Sequence, residues 1–304
     1  MNKTKVIILV AVVAVAAAVG VIIAITQLGK TKEIALPKNQ FTAKVEQEIE
    51  QLKAKPDSKF CKEFYKEIAY HIDDFYKQNR FGKNQSENDQ WKENLEKNLY
   101  SAYADKFISQ VFYVFRGSEW KSDDLNFIRS EYPTLQKSKF LERGSPVDKK
   151  FTEIKSILSK YDEIVGFISS CKGFGYSSTD LSARFPISDV QSKTQRAASL
   201  RNNRLENEFV NNCTRLHDGL KEIPQNLFRA HMRYLDNKIN YWSSMYSNYN
   251  SQSDYSNNLY KPLKSEIELL DNDIYNVGNF DSEYNRLLQK WSADNTKAYN
   301  YSYK

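Results

Sequence analysis

Glycine and proline are scarce, at ten and seven residues in 304, about 6% of the chain, where roughly 12% is usual. Sandwiches and barrels turn often, and turns draw on those two residues. The shortage argues against a β-rich architecture and predicts an all-α chain of long helices joined by few loops. Histidine is equally thin, with three residues. The three cysteines, Cys61, Cys171 and Cys213, stand too far apart for a C-x-x-C redox or zinc site. Catalytic signatures are missing too: there is no G-x-S-x-G, phosphate-binding glycine loop, H-E-x-x-H or calcium loop. Gly173-Phe174-Gly175 follows a helical pattern rather than a strand, so it is no ordinary nucleotide cradle. These absences point to a protein that is not an enzyme and takes no cofactor.

A basic stripe is also lacking. The net charge is +6, but Lys3, Lys5, Lys30 and Lys32 fall within the first 32 residues, where no acid occurs, and without these four it drops to +2. Nucleic acid would require a basic face on the body of the protein, and "RNNR" at 201–204 is too small to be one. No nucleic-acid partner is expected.

One long apolar run is present. "VIILVAVVAVAAAVGVIIAI", Val6 to Ile25, holds twenty residues without a polar side chain, enough helix to span about 30 Å of hydrocarbon. Its flanking lysines suit headgroups and water. The organisation that follows is a tail over 1–5, a transmembrane anchor over 6–28 and a stalk over 29–40. A cleaved signal peptide is the rival, with Ala16–Ala18 as the cleavage motif, but cleavage there would leave an apolar stub on the mature chain. A short tail before a long domain is the layout of a signal-anchor. The bulk of the chain is therefore expected outside the cytoplasm.

The mean hydropathy of −0.67, despite this apolar start, leaves a polar remainder. It predicts slender helical packing, an elongated antiparallel bundle with a first half over 41–172, a loop over 173–188, a second half over 189–297 and a tail over 298–304. Asp57 is placed as the cap of a helix whose stripe is Phe60, Phe64, Ile68, Ile72 and Phe75. A helix from about Glu87 to Phe115 follows, and a short one ended by Pro133. Ser145-Pro146 opens the cleanest amphipathic helix, from Phe151 to Ile168, closing at Gly173. Ser188 opens another long helix that Pro224 interrupts, with a further one from Leu227 to about Tyr249.

Three constellations invite chemistry. Glu67, His71 and Asp74 share a helix face at i, i+4 and i+7, a weak metal candidate beside the more ordinary reading of an ion-pair network. His217 and His231 have less support still. Cys171 and Cys213 flank one loop and are a candidate disulfide, against the reading of buried thiols that pack as small apolar residues. The stretch from Tyr241 to Tyr260 is built of tyrosine, serine and asparagine. It reads as a helical hairpin, as a partner-binding tip formed by Tyr241, Trp242, Tyr246, Tyr249, Tyr255 and Tyr260, or as biased composition.

The function expected from these features is a membrane-anchored helical scaffold or adaptor that binds another envelope or surface protein. Apolar stripes left uncovered would add self-association. The alternatives are a ligand-sensing helical domain and a carbohydrate-acting enzyme, the latter with Glu67 and Asp74 as its acids.

Overall fold

Seven α-helices and no strand make up the described residues of the computed structural model, which are 37–78, 84–174, 185–202 and 211–245, with 286, 289, 290, 292 and 293. The protein is all-α over these residues. None of the described helices is long and apolar enough to cross a membrane. The apolar run over 6–25 lies outside the described residues, as do most of the loop over 173–188 and everything from 246 to 285.

The chain divides into two compact units, one ending at Lys55 and resuming over Cys61–Tyr103, the other formed by Pro56–Phe60 and the chain from Ala104 onward. In the first unit α1 (Lys38–Lys53) buries Phe41, Val45, Ile49 and Leu52 at spacings of four, four and three, one face of a 3.6-residue repeat. It packs on α2 (Lys62–Gln78), which buries Ile68, Ile72 and Phe75. Phe41 stacks on Phe75 at 3.9 Å between ring centres. Trp91, from the first part of α3 (Gln85–Arg116), donates its indole N–H to Thr42 Oγ1 at 3.0 Å. Each fully buried Leu, Ile or Phe of this kind contributes about 1.5–3 kcal/mol.

The start of α2 differs from the sequence expectation. Asp57 does not cap it, and Phe60 stands before it. The peptide N–H of Tyr65 reaches Cys61 O at 3.1 Å, which opens the helix at Cys61. Residues 56–60 instead belong to the second unit. Gln110, 1% exposed on α3, donates its amide to the carbonyls of Pro56 (3.3 Å) and Lys59 (2.5 Å). Lys106 donates to Asp57 Oδ1 at 2.6 Å, and Phe60 packs on Phe127. Side-chain bonds from a distant helix thus outbid a local cap.

The rest of the second unit comprises α4 (Ser122–Gln136), α5 (Pro146–Lys172), α6 (Ile187–Asn202) and α7 (Thr214–Met245). Ser145 caps α5 as its sequence predicts, accepting from the peptide N–H of Asp148 at 3.2 Å, with Pro146 in the first turn. Asp148 Oδ2 reaches back to the N–H of Gly144 at 2.9 Å, where a φ of 79° suits glycine. α5 buries a full stripe from Phe151 through Ile154, Ile157, Tyr161, Ile164 and Ile168 to Cys171.

Two prolines do not end their helices. α4 continues past Pro133 to Gln136, and α7 runs through Pro224. Each proline removes one backbone donor. Burial outweighs that loss: Leu135 is buried beyond Pro133, and Leu220, Ile223 and Leu227 bracket Pro224.

α7 packs on both α5 and α6. A Cβ on Gly219 would meet Ile168 Cδ1 at 2.8 Å, so glycine lets α7 approach α5 closely. Lys172 pairs with Glu222 at 3.5 Å, one turn further on along both helices, so α5 and α7 run parallel. α6 returns antiparallel between them in sequence, with Arg196 to Glu163 at 3.0 Å and Lys193 over Phe174 at 5.5 Å.

Candidate functional site

A polar groove opens where three segments of the second unit meet: the turn from α3 into α4, the end of α5 and the start of α7. It encloses about 540 Å³. Its floor is aromatic. Trp120 is buried, donates its indole N–H to Gly117 O at 3.1 Å, and stacks on Tyr161 with ring centres 5.2 Å apart. Phe115 lies behind it at 4.7 Å. The peptide N–H of Thr214 donates to Ser118 O at 3.0 Å, tying the start of α7 to the turn.

Charges of both signs surround that floor. Lys121 and Arg215 are exposed on one side of the balance, Glu119 and Asp218 on the other, and the Lys172–Glu222 pair closes one rim. Such a lining can bind small polar or zwitterionic molecules weakly, because solvated charges gain little from one partner. Burial pushes the Tyr161 hydroxyl up from its ordinary value, leaving it a neutral donor.

Burial likewise raises both nearby thiols, Cys171 and Cys213, which stay protonated and poor as nucleophiles. All three cysteines are free and buried. The candidate disulfide between Cys171 and Cys213 is not formed, and the helix register explains why. Cys171 lies beside Lys172, which meets Glu222, and Cys213 stands just before the parallel helix α7, nine residues ahead of Glu222. At the rise of an α-helix that offset is about 13 Å, beyond the reach of a disulfide.

The weak metal candidate dissolves in a similar way. His71 Nδ1 faces Glu48 Oε2 of α1 at 3.3 Å, and Lys44 stands 3.8 Å from the same carboxylate. Asp74 accepts from Gln78 at 2.9 Å, and Glu67 is exposed. Among the described residues no group of three His, Cys, Asp or Glu side chains could hold a metal ion. Glu48 was not visible as a partner because it lies 23 residues away on another helix.

Of the tyrosine-rich stretch, Tyr241 and Trp242 fall on the last turns of α7, which reaches Met245. Their side chains, together with Tyr246, Tyr249, Tyr255 and Tyr260, lie outside the described residues.

Sequence reasoning missed the polar interior of α7. His231 is fully buried and Lys238 is 8% exposed. The signal was available: Leu216, Leu220, Ile223 and Leu227 recur at four, three and four, and the same spacing continues through His231, Tyr234 and Lys238.

Compared with protein-family models, with curated proteins and with solved structures, the chain matches none.

Proposed function

We propose that this protein is a single-pass membrane protein whose elongated, antiparallel helical body is a non-catalytic scaffold or adaptor, standing outside the cytoplasm and binding another envelope or surface protein. The observation that carries the anchoring is the uninterrupted apolar run over 6–25, long enough to span a bilayer. The described residues that follow it are all helical, and the chain is polar on average despite that run. The adaptor role draws its support from the tyrosine, serine and asparagine stretch into which α7 leads. Aromatic rings with amide and hydroxyl neighbours give contact area at low entropic cost.

The test is partner capture by cross-linking in membranes, comparing the full chain with a variant in which 246–258 is replaced by a short Gly-Ser turn. Capture is expected to be lost in the variant while its helical circular dichroism is retained. Equal capture by both would remove the stretch from the binding role.

The groove beside Trp120 favours a second reading, a ligand-sensing helical domain. On that reading a small polar ligand raises the melting temperature of the full chain, and Arg215→Ala abolishes the rise.

A further inference from the structure

The buried stripe of α7 changes character half-way along, from leucine and isoleucine to His231, Tyr234 and Lys238. The imidazole of His231 lies flat on Phe185, with ring centres 4.1 Å apart and planes 5° from parallel. Phe185 also meets Tyr234 at 5.3 Å and, edge-on, Phe174 at 6.0 Å. Lys238 donates to the Tyr234 hydroxyl at 2.8 Å, with its ammonium 5.1 Å from that ring. α6 brings Asp189 and Lys193 to this corner, paired at 2.5 Å, with Lys193 over Phe174. α5 brings Cys171, whose thiol feels both. Of the titratable groups at this corner, Tyr234 and Lys238 on its own helix act on the imidazole directly, whereas Asp189 and Lys193 on α6 and Cys171 on α5 are connected to it through Phe174 and Phe185.

We propose that His231 is an acid-operated release, in which protonation of its imidazole frees Phe185, and the start of α6 that follows it, from α7. An imidazolium formed in place would be a fully buried cation on the same stripe as the Lys238 ammonium, so the ring takes up its proton by leaving. Burial, with the Lys238 charge second, holds the folded imidazole down to about 3 from an ordinary 6.5. A depressed folded value means that closure is fully favoured above about pH 6.5 and weakens as pH falls from there toward the folded value. Once exposed, the ring titrates near 6.5. Any folded value below about 4.5 then raises the open population about 20-fold between pH 7 and pH 5. This device is independent of what the protein binds.

Hydrogen exchange read by mass spectrometry on the full chain in detergent tests it, at pH 7 and pH 5 with rates corrected for intrinsic chemistry. Protection over 185–202 and 223–238 is expected to fall about 20-fold at pH 5, while 151–165 of α5 changes by less than twofold. His231→Phe keeps a flat ring for Phe185 and should show no selective loss. His231→Leu serves as a second replacement if the phenyl variant does not fold. Uniform loss over all three segments, no loss, or the same selective loss in a folded variant would each overturn the proposal. The wild-type comparison alone suffices for the first two.

Discussion

Gln110 occupies a core position that polarity alone would assign to solvent. Its neighbours Phe107 and Val111 are fully buried, and its amide satisfies two backbone carbonyls in the 56–60 segment. Gln110→Ala should therefore lower the stability of the chain by about 1–3 kcal/mol, measured by denaturant unfolding. Gln110→Leu should not restore it, since the two carbonyls would still lack their donor. Asp73 shows the opposite case, a group whose bonds are real and whose contribution is small. Hydrogen bonds from Lys77 and then Lys92 hold its carboxyl down to about 2. The lowered folded value places its stabilisation above about pH 4, to be lost as pH falls toward 2. Its side chain is 41% exposed, so solvent screening limits the effect to about 1 kcal/mol or less. Asp73→Asn should cost that much in low salt and almost nothing in 1 M salt, by thermal melting. At this scale the sequence was legible where partners are local, and opaque where they are not. His71 looked toward Glu67 and Asp74 by spacing, yet its partner Glu48 comes from another helix.

Among the elements, α5 was the most legible because its start, stripe and stop are all written locally. Ser145, Pro146 and Gly173 mark its ends, and its apolar residues keep one period from Phe151 to Cys171. Ser145→Ala should cost about 1 kcal/mol, with Ser145→Asp close to neutral, both read from urea melts. Helix ends governed by proline were legible only in part. Pro133 and Pro224 each remove a donor, but tertiary burial on both sides of Pro224 carries α7 through it. The close pairing of α5 and α7 was hidden, because Gly219 reads in sequence as a mild helix breaker rather than as a point of approach. Gly219→Val should destabilise by roughly 1–3 kcal/mol through overpacking against Ile168. The smaller Gly219→Ala should cost less, since the far end of the Ile168 side chain can shift. α3 was legible in extent and in most of its face: Leu95, Leu99, Ala102, Phe107 and Val111 recur at helical spacing and are buried, while Tyr103, Gln110, Phe112 and Phe115 widen the buried arc beyond that stripe.

For the molecule as a whole, the all-helical class followed from the shortage of glycine and proline, and the described residues bear that out. The functional reading rests on two features of the sequence, the apolar run over 6–25 and the tyrosine-rich stretch over 241–260. The native cysteines are poor reporters of where the body lies, since all three are buried. An introduced thiol on the exposed face of α5, Ser156→Cys, is a better one. The decisive measurement is its labelling by a membrane-impermeant maleimide in intact cells that make the full chain, compared with labelling after lysis. Equal labelling in both is the expected result. Labelling only after lysis would place the helical body in the cytoplasm and contradict an adaptor for envelope or surface proteins.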